Sequence, residues 1–193
     1  MGFSPTGLCA ITWNANGLLG KVDDLREFIG RVKPDIILLQ EIRLSGADSI
    51  AIPNYTFYST PTRTGYRRRC RGTAILIKST INHQYIPNPI LHHIEATMVN
   101  LPNIPPINFV SAYRPPYDAL FTLDFELLYA CNSAIFIAGD LNARHRSWNS
   151  TKNCRYGKQL KNFAAGPYRG DRAPLAENYC FVQLRVLLLL MFF

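Results

Sequence analysis

Leu8-Cys9-Ala10-Ile11-Thr12-Trp13, ending at Asn14, and Asp35-Ile36-Ile37-Leu38-Leu39-Gln40, ending at Glu41, bracket a stretch where Val22, Leu25, Phe28, Ile29 and Val32 recur at helical spacing. Two apolar runs of strand length around one amphipathic helix predict a strand–helix–strand unit, the opening of an α/β sheet. Asp23 and Asp24 fall in the first helical turn, where the dipole favours carboxylates. Pro34 closes the helix, and Asn14-Ala15-Asn16-Gly17 reads as the turn that leaves the first strand. Two later runs end in the same manner: Ile107–Ala112 at Tyr113, and Ala134–Gly139 at Asp140, with Asn142 two residues on. Open α/β sheets place their sites beyond the carboxyl ends of strands. An amide, two acids and a phenol delivered there therefore describe one site.

Between these runs the pattern continues. Tyr55–Ser59 and Thr73–Lys78 read as strands, with the Arg-rich loop Arg63–Arg71 between them. Ala96–Val99 and Ile107–Ala112 flank a turn carrying Pro102, Pro105 and Pro106, which predicts a hairpin. Asp118 is placed to cap a helix whose Leu120, Leu123, Leu127, Leu128 and Cys131 share a face. A further helix over Tyr156–Ala164 would pack through Leu160 and Phe163. Gly166, Pro167, Gly170 and Pro174 then break the pattern until the apolar run Leu187–Phe193. The expected organisation is one domain over 1–163 and a divergent tail over 164–193.

The 193 residues are enough for one domain with a real core. Lys and Arg number 21 against 13 Asp and Glu, a net charge of +8, which suits a polyanionic partner. The five cysteines are odd in number and form no C-x-x-C pair, which argues against a zinc cluster or a disulfide framework and for a reducing compartment. No charged segment followed by an apolar stretch opens the chain, and the terminal apolar run is far short of the ~20 residues that span a bilayer. Neither a membrane nor an obligate protein partner is expected.

Glu41 follows a fully apolar strand, and a carboxylate there is costly to bury unless paired, protonated or metal-bound. Hard oxygen ligands of this kind suit Mg2+, which keeps several waters and takes few protein carboxylates. Asp140 and Asn142 alternate to one side, so a carboxylate able to deprotonate water and an amide able to donate to a phosphate oxygen converge. Asn14 can serve as an outer metal or phosphate contact, and Tyr113 can donate to a phosphate oxygen. Taken singly, each also has an ordinary reading: a solvent-facing strand end, an Asx turn, a packing tyrosine. The set decides.

Trp13-Asn14-Ala15-Asn16-Gly17-Leu18, Leu39-Gln40-Glu41, Gly72-Thr73-Ala74, Ser111-Ala112-Tyr113-Arg114-Pro115-Pro116 and Gly139-Asp140-Leu141-Asn142-Ala143 resemble, in order, the endonuclease/exonuclease/phosphatase superfamily. Within it, the first motif and Asp140-Leu141-Asn142-Ala143-Arg144-His145-Arg146-Ser147-Trp148 resemble the apurinic-type endonuclease domain of jockey-like non-LTR retrotransposons. The resemblance spans residues 8–163 and implies a four-layer α/β sandwich of two face-to-face mixed sheets flanked by helices. It implies Glu41 and Asn14 as ligands of Mg2+ or Mn2+, Tyr113 on the scissile phosphate, Asp140 activating water and Asn142 stabilising the developing charge. DNA is the implied partner, with Arg67, Arg68, Arg69, Arg71 and Arg114 as phosphate contacts, and a nick that primes reverse transcription as the product. A chain working in that way acts in the nucleus. Two alternatives stand beside it: a phosphatase of the same superfamily, and a degenerate fragment that only binds nucleic acid.

The match breaks late. Family members carry a late Asp and a terminal Ser-Asp-His, whereas the histidines here are His83, His92, His93 and His145 and the last aspartate is Asp171. Residues from 164 onward read as a truncation or a shifted frame, which predicts little nicking activity.

Overall fold

The computed structural model describes residues 8–45, 48–60, 72–102, 106–120, 122–130, 134–148, 150–165, 179–183 and 191–192. The opening unit forms as the sequence predicts: strand β1 (Leu8–Asn14), helix α1 (Val22–Val32) and strand β2 (Ile36–Gln40). The two strands are parallel, in a register that sets Asn14 beside Gln40. Asn14 and Glu41 thus leave neighbouring strands at the same end. The helix ends where Lys33 turns left-handed (φ 52°) and its N–H caps Ile29 O at 2.8 Å.

The remaining strands are β3 (Tyr55–Thr60), β4 (Thr73–Lys78), β5 (Gln84–Ile86), β6 (Glu95–Leu101), β7 (Ile107–Tyr113), β8 (Ala134–Asp140), β9 (Tyr179–Gln183) and β10 (Met191–Phe192). One sheet runs β3-β4-β2-β1-β9 and the other β10-β8-β7-β6-β5. Antiparallel β6 and β7 are the predicted hairpin. β7 and β8 are parallel and joined through helix α2 (Thr122–Tyr129).

Burial sorts these elements into four layers. Ala10, Ile36, Leu38, Ile75 and Ile77 of the first sheet pack on Val99, Ile107, Phe109, Phe136 and Ala138 of the second. Leu25 and Ile29 of α1 cover the first sheet's outer face with Ile37, Leu39 and Leu76. Phe125 and Leu128 of α2, with Leu160 and Phe163 of helix α3 (Arg155–Ala164), cover the second through Met98, Val110, Ile135 and Ile137. The sandwich is the architecture the motifs imply.

Three local expectations are corrected. Asp118 lies in a turn ahead of the helix: its own N–H donates to Pro115 O at 3.2 Å, and α2 begins four residues later, at Thr122. The buried face of α2 is also rotated, since Phe125 is enclosed while Leu123 is 45% exposed. Past residue 164, where the local pattern breaks, backbone pairing continues: β9 lies parallel to β1, and β10 antiparallel to β8. β9 takes its partner from an edge more than a hundred residues away, which a local period does not reveal.

Asp124 is the most consequential residue the apolar reading of α2 passed over. It is fully buried, and its carboxylate accepts N–H groups of His92 (2.8 Å), His93 (2.8 Å) and Ile94 (3.0 Å). The loop entering β6 is thereby tied to α2 through the backbone of the paired histidines. Asp124→Ala strands three donors and is expected to destabilise the protein by about 2 kcal/mol. Urea unfolding checks this; a midpoint equal to that of the parent would show that water or another group replaces the carboxylate.

Candidate active site

At the carboxyl ends of β1, β2 and β8 the two sheets come together through one amide. Asn14 Nδ2 donates to Glu41 Oε1 at 2.8 Å and to Asp140 Oδ2 at 3.0 Å. Asn14 Oδ1 accepts the Asn16 N–H at 3.0 Å, which fixes the orientation of the amide. Asp140 Oδ1 in turn accepts the Asn142 N–H at 3.0 Å. Residues separated by up to 126 positions therefore share one mouth, with Asn14, Glu41, Asp140 and Asn142 all partly exposed.

The floor of this mouth is polar although it lies between two apolar sheet faces. Thr12 Oγ1 donates to Gln40 Oε1 (3.2 Å), Gln40 Nε2 to Ser111 Oγ (3.0 Å), and Ser111 Oγ to Leu39 O (2.8 Å). Thr73 and Thr97 meet at 2.8 Å across the same gap. All five side chains are buried, so their bonds hold the sheets in a single register where slipping would leave polar groups unpaired. The apolar runs concealed this layer, because Gln40 and Ser111 read as strand ends or small fillers.

The loops above are zipped by backbone bonds from Ala15 N to Gln40 O (2.8 Å), Gly17 N to Glu41 O (2.7 Å) and Leu18 N to Ile42 O (3.0 Å). Asn16, Glu41, Arg43 and Asn142 all have left-handed backbone, with φ between 47° and 55°. Each such residue costs on the order of 1 kcal/mol, and strain of this kind gathers at functional sites. Arg43 Nη2 donates to Asn16 Oδ1 and lies 3.4 Å from Glu41 Oε2. The sequence reading missed Arg43, since nothing marks an arginine two residues past a carboxylate.

The other predicted residues divide. Tyr113 stands in register between Glu95 and Asp140, yet it is only 3% exposed. The residue is enclosed at the end of β7, next to Asp140 in register. Asn142 Nδ2 donates to Arg114 O at 2.8 Å. Arg114 is a correction: it is fully buried, and its N–H groups go to the carbonyls of Leu141, Pro115, Asp118 and Asn142. A guanidinium spent in this way is a brace, not a phosphate contact. Burial draws its pKa down, against the opposing pull of Tyr156, Cys154, Asp118 and Asp140. Arg67, Arg68, Arg69 and Arg71 lie outside the described residues. His145 packs at a 44° tilt against Trp148 with ring centroids 5.0 Å apart, and its Nδ1 accepts the Ser147 N–H, so it supports the loop.

Glu41 and Asp140 present carboxylate oxygens around a shared amide, a donor set of hard oxygens. Among the described residues no three His, Cys, Asp or Glu side chains group as a metal cage. An ion held here would rest on one or two carboxylates and water, the manner in which Mg2+ binds. The residues fit such an ion.

Comparison with known proteins is consistent with this geometry. The model of the Endonuclease/Exonuclease/phosphatase family matches residues 11–185. The chain belongs to this family. Enzymes of the Endonuclease/Exonuclease/phosphatase family generally depend on a divalent metal. Among relatives, the probable RNA-directed DNA polymerase from transposon BS of Drosophila melanogaster is 28% identical over 154 residues, 78% of this chain. The RNA-directed DNA polymerase from mobile element jockey of the same species is 29% identical over 160 residues, 81% of this chain. The chain spans 17% of the length of each. In fold it is similar to the endonuclease domain of TRAS1, a telomere-specific non-LTR retrotransposon, with a TM-score of 0.60 at 18% identity over 80% of this chain and 70% of that one. It is also similar to AP endonuclease LMAP from Leishmania major, with a TM-score of 0.58 at 20% identity over 81% and 62% of the two chains.

Proposed function

We propose that this chain is the DNA-cleaving domain of a non-LTR retrotransposon protein, nicking target DNA so that the exposed 3′-hydroxyl primes reverse transcription. The observation that carries this reading is the Asn14 amide joining Glu41 and Asp140 across two sheets. The net charge of +8 and the kinship with jockey and BS proteins favour DNA over a small phosphorylated substrate.

Glu41 and Asn14 would hold Mg2+ or Mn2+, which supplies charge neutralisation on the phosphoryl oxygens. Asp140, held by Asn14 and by the Asn142 N–H, takes the proton of the attacking water. Asn142 and the enclosed Tyr113 donate to oxygens on which charge develops. The resemblance assigns two further roles to a late Asp and a Ser-Asp-His segment, for which these 193 residues hold no counterpart. These 193 residues by themselves do not supply those two groups, and residues that act as a unit lose activity steeply together.

Supercoiled plasmid with Mg2+ tests both parts. The expected result is at most slow relaxation, abolished by EDTA and by Glu41→Ala. Appending a family member's Ser-Asp-His segment is expected to raise the rate on the order of a hundredfold or more. Relaxation unaffected by Glu41→Ala would remove the site. A restored chain that cleaves soluble inositol phosphate and leaves DNA intact would instead establish the phosphatase reading.

A further inference from the structure

Arg43 is a charged group at the mouth for which the proposed reaction provides no role. Its Nη2 donates to Asn16 Oδ1 and lies 3.4 Å from Glu41 Oε2, while Glu41 Oε1 is taken by Asn14. Among the described residues it is the cation paired with this carboxylate. The placement is built into the backbone rather than left to a flexible stem. Glu41 and Arg43 are both left-handed, and the fully buried Ile42 between them is pinned by bonds to Gly72 O (3.2 Å) and from Leu18 N (3.0 Å). The stem runs beside the Asn16–Gly17 turn, where a Cβ on Gly17 would meet Arg43 Cδ at 3.6 Å, an ordinary contact. Among the described residues the buried Nε–H finds no partner, whereas the side chain as a whole is 38% exposed. This fork is only partly satisfied by the protein.

A guanidinium and a divalent cation compete for one carboxylate and repel each other across it. Once a cation holds Glu41, the charge of Arg43 is best satisfied by the next anion brought within reach, and on the nuclease reading that anion is a phosphate. The planar fork of arginine matches two phosphate oxygens, and a charge already in place needs no reorganisation as negative charge develops. We propose that Arg43 is a phosphate-binding residue of this site: it neutralises Glu41 until a divalent cation takes the carboxylate, then donates to oxygens of the nucleic-acid phosphate. This rests on the nuclease reading above.

The proposal predicts effects of opposite sign from one substitution. In Arg43→Gln, Mn2+ affinity without DNA, read as free Mn2+ by electron paramagnetic resonance, rises about threefold or more as a like charge leaves. Affinity for a short DNA duplex in Ca2+, read by fluorescence anisotropy, falls about tenfold, as for loss of a charged hydrogen-bonded contact. Arg43→Lys keeps the charge without the fork, so Mn2+ affinity stays near the parent value and DNA affinity falls by an intermediate amount. This second variant also serves if Arg43→Gln does not fold. Mn2+ and DNA affinities that fall together would make Arg43 a mere loop support, and two unchanged affinities would remove it from the site; either outcome overturns the proposal. A parent chain that binds Mn2+ but no DNA would instead overturn the nuclease reading, and this inference with it.

Discussion

Arg114→Ala is expected to destabilise the protein by about 4 kcal/mol, among the largest effects of any single side chain here. The guanidinium is fully buried. Nε donates to Leu141 O at 2.7 Å, Nη1 to Pro115 O at 3.0 Å and to Asp118 O, and Nη2 to Asn142 O at 3.0 Å. Its carbon centre sits 4.3 Å above the Tyr156 ring, so it also joins α3 to the strand ends. Truncation takes the donor from the buried Leu141 O and a donor from the part-buried Asp118 and Asn142 carbonyls, and it opens a cavity the size of the side chain. Breaking a buried charged network in this way costs about 3–5 kcal/mol. Arg114→Lys retains the charge, but an ammonium cannot present a planar fork to carbonyls on two segments, so it recovers no more than about half the loss. Urea unfolding of both variants provides the measurement. A loss under about 1 kcal/mol for alanine would mean that the carbonyls find water, and that the turn bearing Asp140 and Asn142 does not depend on Arg114.

That brace marks where sequence reading stops. The runs through Ile11, Ile37, Val110 and Ile137 were legible because burial on both faces of a strand demands continuous apolar side chains, and α1 because Leu25 and Ile29 recur at its period. Asn14, Glu41 and Asp140 were legible as polar ends of those runs. The contacts that make them a site were not. Asn14 meets Asp140 across 126 positions, and Gln40 meets Ser111 across 71, because two sheets stack, and stacking register leaves no local signature. Arg114 shows the converse error. An arginine beside a strand-end tyrosine in a basic chain suggests phosphate contact, yet its surroundings are carbonyls rather than solvent. Asp124 was hidden in the same way, an acid within an apolar helix whose role is set by a loop some thirty residues upstream. Residue type announces which chemistry is available, and only tertiary pairing decides whether that chemistry is used on substrate or on the protein's own backbone.

Gly139→Ala is the second large effect, and it couples the fold directly to the site. In β8, Gly139 is the register partner of Ala112 in β7 and immediately precedes Asp140. A Cβ at Gly139 would stand 1.8 Å from Ala112 O and 2.8 Å from its carbonyl carbon. Both are main-chain atoms in a buried strand, so no side-chain rotation relieves the overlap. The central pair of the second sheet must separate at the position that aims Asp140 toward Asn14. Overpacking of this severity exceeds the usual range of about 1–3 kcal/mol, and a loss of about 4 kcal/mol or failure to fold is expected. Gly30→Ala is the internal control. Gly30 lies in α1, where an added Cβ would have nothing within 4 Å, so alanine there is expected to stabilise by roughly 0.5–1 kcal/mol through helix propensity and chain entropy. Thermal unfolding of the two variants side by side separates the causes. Opposite shifts in Tm place the effect at Gly139 itself, where the close approach of β7 and β8 and a φ of 155° both exclude a side chain. A shift of the same sign and size for both would leave that approach without energetic weight, and with it the positioning of Asp140 by the strand beneath it.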